Sequence, residues 1–170
     1  VGVTAFPPVI DDDSRVLVLG SMPGVQSLAK QQYYGHPRNH FWPLLYGLYG
    51  LQPDEAYESR LAFARGQGVA LWDVLARCER EGSLDADITA PEANDFAALL
   101  GRYPRVAAIF FNGSKAEQLF RRLVVPTCAA AAAKLPALHL LPSSSPARTL
   151  TLPRKLLDWQ QVRRTLEMHR

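Results

Sequence analysis

The chain has little cysteine: Cys78 and Cys128 are the only two in 170 residues. Two thiols cannot hold a four-thiolate iron–sulfur cluster, nor close a structural zinc site without other ligands. No C-x-x-C or H-E-x-x-H spacing supplies such ligands. The thiols read as free, in a reducing compartment, so a cytoplasmic protein without metal or cofactor is expected. Long apolar runs are also missing. Pro, Gly or charge interrupts each one, which predicts no transmembrane helix and no membrane partner. Val1 to Asp13 has no basic segment leading into an apolar one, so no signal peptide is expected. A G-x-S-x-G elbow and a phosphate-cradling glycine motif are both absent, which disfavours an unrelated hydrolase with a serine triad and a flavodoxin-like protein. Excess charge is small. The net charge of +3 and a pI near 9.0 lean mildly toward an anionic partner, far short of a histone-like tail.

Apolar residues are plentiful, at 48%, against 21% charged, and the length suits one domain spanning 1–170. Arg15 to Leu19, Val69 to Asp73, Val106 to Phe111 and Ala137 to Leu141 read as four strands. The run in Arg15 to Leu19 is continuous rather than alternating, as in a strand buried on both faces of a parallel sheet, and Val106 to Phe111 reads as another buried strand. Helices are expected over Phe41 to Tyr49, from Pro53 to about Gly66, from Pro91 to about Leu100, from Ser114 to about Val124 and from Arg154 to Met168. Ala129 to Ala133 reads as a helical extension or a surface loop. Alternating strands and helices predict an α/β fold: three layers, α/β/α, around a short four-stranded, mainly parallel sheet. A monomer is expected.

Ligands of such sheets sit outside the carboxyl ends of the strands. Four segments leave those ends: 20–40, 73–87, 112–114 and 142–148. The first carries Tyr33, Tyr34, His36, Arg38, Asn39 and His40 in close succession. An aromatic ring there can stack on a flat base, and an amide can aim a water; equally, Asn39 can cap the helix that begins near Phe41. The last segment, Pro142 to Arg148, offers the hydroxyls of Ser143, Ser144 and Ser145. With the turn's amides they suit a phosphodiester backbone, or they form an ordinary Ser-rich turn.

In this order along the chain, these segments carry a resemblance. Val16 to Gly24, Tyr34 to Trp42, Phe111 to Ala116 and Ser143 to Ala147 are similar to motifs of the uracil-DNA glycosylase superfamily. The similarity runs from about Arg15 to Arg164. Two departures narrow it. Met22 stands where the superfamily usually places a water-positioning Asp or Asn. Ser143 opens the second motif in place of His or Asn. Both changes resemble the hypoxanthine-DNA glycosylase branch, and the scarcity of cysteine argues against the iron–sulfur branches.

The resemblance implies an enzyme of base-excision repair that flips a deaminated base from DNA and hydrolyses its N-glycosidic bond. It implies Asn39 as the catalytic residue and Tyr34 as the ring beneath the base. Met22, His36 and Asp73 are the further base-site candidates. A carboxylate at Asp73 would accept the N1–H of hypoxanthine, where adenine has no hydrogen; alternatively Asp73 caps the next helix. His36 contacts the base or a phosphate, or is purely structural. Ser143 and Ser145 would hold flanking phosphates, Arg148 would enter the gap left by the nucleotide, and Lys115 reaches a phosphate or is a solvated helix face. No lysine stands out as a Schiff-base nucleophile, so hydrolysis without strand cleavage is expected. Rival readings are excision of uracil, thymine or xanthine from mismatches, and a DNA-binding module that kept the fold without the chemistry.

Overall fold

The computed structural model describes residues 2–170. The four apolar runs form β2 (Val16–Gly20), β3 (Val69–Asp73), β6 (Ala108–Asn112) and β7 (Ala137–Leu141). They pair in parallel in the order β3-β2-β6-β7. Each is only five residues long, so the sheet is short.

Alternate side chains of β2 enter opposite cores. Val16 and Val18 pack with Phe41, Leu44, Leu45, Leu61, Trp159 and Val162. These belong to α2 (Phe41–Gly47), α3 (Tyr57–Gly66) and α7 (Leu152–Met168). Leu17 and Leu19 pack with Phe96, Leu99, Ala116, Leu119, Phe120 and Cys128. These belong to α4 (Phe96–Arg102), α5 (Ser114–Leu119), a π-helical turn (Phe120–Val124) and α6 (Val125–Ala130). Helices therefore cover both faces, as the continuous apolar strands required. Each fully buried large apolar side chain contributes roughly 1.5–3 kcal/mol to this arrangement.

Helix ends follow local chemistry. Thr151 caps α7 by accepting from the Arg154 N–H, with proline in the first turn. The π turn comes just before Pro126, which has no N–H to give the carbonyl of Arg122. Six residues inside the first long loop, α1 (Val25–Lys30), are helical, although Gly24 provides no side-chain cap.

Two expected helix starts are corrected. The helix expected to open at Pro53 begins at Tyr57, because Asp54 is held by the Tyr46 hydroxyl and Ala56 is extended. The other is the start expected at Pro91. Pro91 and Glu92 lie in a strand, β5 (Thr89–Ala93), and the helix begins at Phe96 after Asp95, which accepts from the Ala98 N–H. β5 is the edge of a second, antiparallel sheet in the order β1-β4-β5, with β1 (Gly2–Thr4) and β4 (Leu75–Glu79). A proline is tolerated on an edge strand because its missing N–H is not needed there. This small sheet occupies what the sequence suggested was only a connection after β3.

Candidate active site

The carboxyl ends of β2, β3, β6 and β7 open on a cavity of about 550 Å³. Its floor begins at Gly20. A Cβ at that position would lie 2.6 Å from Asp73 Oδ1 and 3.3 Å from Tyr34 Oη, so only glycine leaves room for both groups there. Beyond it, Met22 is buried and lines the cavity. The Ser21 hydroxyl donates to Asp85 Oδ1 at 2.6 Å, and the Val25 N–H donates to Ser83 Oγ at 2.8 Å. These bonds fasten the segment around Leu84 to the first loop.

Tyr34 takes a left-handed backbone conformation, φ 56°, and its ring stacks on Phe41 at a centroid distance of 4.0 Å. Phe41 covers one face of the ring while Tyr34 lines the cavity. Its enclosed hydroxyl makes no hydrogen bond of ordinary geometry. Burial first, and then the nearby Asp73, raise its pKa well above the usual phenol range; the Asn112 amide offsets part of this.

The N-cap residue of α2 is His40, whose side chain makes no capping bond; Asn39, one residue earlier, caps the helix from outside, its Oδ1 accepting from the Phe41 N–H at 2.9 Å in a local turn. It also lines the cavity, so the cap and the cavity wall are one side chain. Its N–H donates to the His36 carbonyl, and His36 Nδ1 accepts from the Arg38 N–H at 3.0 Å. A neutral His36 ring therefore carries its hydrogen on Nε2. His36 also lines the cavity.

Asp73 ends β3 at 4% exposure, and its Oδ2 has no hydrogen-bond partner. The carboxyl pKa is pushed up to about 7 by burial, and further by Asp85, against the opposing charge of Arg80. A strand rather than a helix follows, so Asp73 is not a helix cap; its main-chain carbonyl accepts from Asn94 Nδ2 at 2.8 Å.

The serine turn is held from behind. Asn112 Oδ1 accepts from the Ser144 N–H at 2.8 Å, and Asn112 Nδ2 donates to Ser144 Oγ at 2.9 Å. The Ser144 carbonyl accepts from the His40 N–H, the Pro142 carbonyl from Trp159 Nε1, and the Ser145 carbonyl from Lys155 Nζ. Ser143 Oγ and Ser145 Oγ accept from the Ser145 and Ala147 N–H groups. The turn's amides are thus largely occupied internally, and the hydroxyl hydrogens of Ser143 and Ser145 remain as donors at the cavity. Gly113, at φ 99°, permits the close approach, since a Cβ there would sit 2.9 Å from Ser143 Cβ.

One cavity therefore collects Asn39, Tyr34, Met22, His36, Asp73, Ser143 and Ser145. Lys115 and Arg148 do not line it; Lys115 follows the Gly113 turn, and Arg148 is exposed just past the serine turn. Sequence reading missed Asp85, Ser83, Asn112 and Lys155. Asn112 carried a hint in its place at a strand end; the others are brought in by long-range contacts with no local signal. Among the described residues, no cluster of His, Cys, Asp or Glu is arranged to hold a metal ion, and no helix is long and apolar enough to cross a membrane. Both cysteines are buried and free.

A strand-end cavity that combines an aromatic platform, an anchored amide and a hydroxyl-bearing turn suits recognition of a nucleotide. The family model of the uracil DNA glycosylase superfamily matches residues 7–167. A hypoxanthine DNA glycosylase of Methanosarcina acetivorans is 39% identical over 162 residues, spanning 92% of this chain and 95% of that protein. One of the same name from Methanosarcina barkeri is 36% identical over 161 residues, with the same coverage. A Methanosarcina acetivorans protein solved by solution NMR, described as a candidate uracil DNA glycosylase, superposes with a TM-score of 0.81 at 36% identity, covering 98% of this chain and 99% of that one. The chain belongs to the uracil DNA glycosylase superfamily.

Proposed function

We propose that this DNA glycosylase excises hypoxanthine from deoxyinosine in DNA, by hydrolysis and without strand cleavage. The observation that carries the reading is the single cavity shared by the Asn39 amide, the Tyr34 ring and the serine turn. Its volume lies within the roughly 300–1,000 Å³ of ordinary small-ligand sites, room for an extruded nucleoside and a water. The names of the two Methanosarcina relatives favour hypoxanthine as the base.

In this reading the nucleotide leaves the duplex and its base stacks on Tyr34, an interaction worth about 1–3 kcal/mol. Phe41 backs the ring and fixes its plane. Asn39 Oδ1 has a second lone pair beyond the one that caps α2, and with it accepts a hydrogen of the attacking water. The amide is too weak a base to take a proton, so it acts by placement. The water oxygen bonds to C1′ as the C1′–N9 bond breaks, the electron pair leaving with the base. Met22 supplies an apolar wall, and His36 offers Nε2–H to the base or a phosphate. Ser143 and Ser145 donate to flanking phosphates. Arg148 fills the vacated stack, and Lys115 reaches a phosphate outside the cavity. The enzyme works as a cytoplasmic monomer without metal or cofactor; its buried free thiols suit a reducing compartment.

The test uses labelled duplexes carrying hypoxanthine, uracil, xanthine or a G·T mismatch, with alkaline cleavage of abasic sites. Hypoxanthine release by the native protein and its loss in Asn39→Ala are expected. Release of uracil alone would move the specificity elsewhere. Binding without any release would reduce the protein to a DNA-binding module.

A further inference from the structure

The least explained group in the cavity is Asp73. It is almost wholly buried, yet no cation stands within ion-pair distance of it among the described residues, and Oδ2 has no partner. Its surroundings are unfavourable to a negative charge on nearly every side. Asp85, from the short helical turn Asp85–Asp87, adds a like charge and is itself bound to Ser21. Tyr33 and Tyr34 approach from the loop after α1, but neither phenol is bonded to the carboxyl: the Tyr33 hydroxyl donates to the Pro7 carbonyl, and the Tyr34 hydroxyl has no partner. From β2, Gly20 closes against Oδ1; from beyond β5, Asn94 binds only the main-chain carbonyl. Arg80, just past β4, is the opposing charge among the described residues, and its guanidinium donates to the Pro23 carbonyl.

We propose that Asp73, whose Oδ2 is closed off from solvent in the free protein, turns to meet the flipped base as a neutral carboxylic acid, its O–H donating to the base carbonyl while its C=O accepts the adjacent ring N–H. This rests on the reading of the cavity as a base site. Deamination creates this N–H beside a C=O, the lactam edge of hypoxanthine, and a neutral acid matches it with two antiparallel hydrogen bonds. A carboxylate matches only the N–H and opposes the carbonyl oxygen. The acid also helps the chemistry. As C1′–N9 breaks, negative charge spreads over the purine onto that oxygen, and a donor already aimed there stabilises it. The proton stays shared with Asp73 during bond cleavage. The water loses its proton to solvent, and the departing purine later takes one from solvent, so the step balances. The raised pKa of about 7 agrees with this state: the acid form prevails below that value and is lost above it.

The experiment compares single-turnover release of hypoxanthine by native protein, Asp73→Asn and Asp73→Ala between pH 5.5 and about 9.5, the range bracketing that pKa. For the native protein the rate falls about tenfold per pH unit above a limb at pH 7 or higher. Asparagine keeps the carbonyl and replaces the O–H with an N–H, so Asp73→Asn lowers the rate less than about tenfold and abolishes the limb. Asp73→Ala lowers it by at least roughly 100-fold. Thermal melts confirm that the variants fold. A native rate that rises or stays flat through pH 7 overturns the proposal. So does a limb that persists in Asp73→Asn, or an asparagine variant as inactive as alanine. If the native protein releases no hypoxanthine at any pH, the base-site reading itself fails, which is a separate outcome.

Discussion

The two roles proposed for Asn39, holding the start of α2 and aiming the water, can be separated by substitution. Its Oδ1 holds the start of α2 through the Phe41 N–H at 2.9 Å, and its side chain lines the cavity that would hold the attacking water. Alanine removes both. Loss of such a cap costs about 0.5–2 kcal/mol, which for a chain of this length lowers Tm by roughly 2–4 °C per kcal/mol. Loss of a positioned reactant costs about 100-fold in rate. Serine keeps the local cap, because its hydroxyl can accept from the N–H two residues on, but it is too short to reach the water. Asn39→Ser should therefore melt close to the native protein while losing about as much single-turnover rate as Asn39→Ala. Asn39→Asp keeps both the cap and the acceptor, and its charge favours the helix N-terminus, so it should retain activity and stability. The assay is alkaline cleavage of a deoxyinosine duplex under enzyme excess, beside thermal melts. If Asn39→Ser releases base at the native rate, the amide is only a cap and the water-aiming role is refuted.

Gly20→Ala should weaken both fold and activity, because its Cβ would meet Asp73 Oδ1 at 2.6 Å; overpacking of this kind costs about 1–3 kcal/mol, and unchanged urea midpoint and rate would contradict the contact. Asp73→Asn should be more stable than the native protein at pH 8. The folded carboxyl pKa of about 7 lies above the unfolded value, so its stabilising share is complete below the unfolded pKa and is lost as pH rises through the folded one. The advantage should vanish near the ordinary carboxylate pKa, about 4, and a pH-independent difference in urea denaturation would count against the shift. Lys155 is wholly buried, with one hydrogen bond to the Ser145 carbonyl at 3.2 Å. Its pKa is lowered by burial and then by Arg148. Lys155→Met should leave Tm unchanged or higher, because it removes a desolvated charge; a drop beyond about 4 °C would mean that anchoring the serine turn outweighs that relief.

The central sheet was legible because strands buried on both faces need continuous apolar runs, and Val16–Leu19 and Ala108–Phe111 have them. The second sheet was not. Thr89–Ala93 is a mostly exposed edge strand with a proline in its middle, and locally that proline resembles the start of a helix. Much of the site was legible for a different reason: its residues sit in loops at strand ends, where a parallel sheet gathers functional side chains. Tyr34, Asn39, Asp73, Ser143 and Ser145 could therefore be assigned to one end of the sheet before their distances were known.

Composition and order along the chain thus determined the α/β class, the parallel strands and the loops from which a site would be drawn. Only tertiary structure decided that Asn39 both holds the start of a helix and lines the cavity, that the turn's amides are spent internally on Asn112 and on neighbouring serine hydroxyls, and that Asp73 is left buried with no cation in ion-pair distance among the described residues. The physical reason is that hydrogen-bond partnership and desolvation depend on which groups distant segments bring together. Local sequence encodes the tendency of a segment to form a strand, helix or turn; it does not encode what will stand opposite a carboxyl once the chain has closed around it.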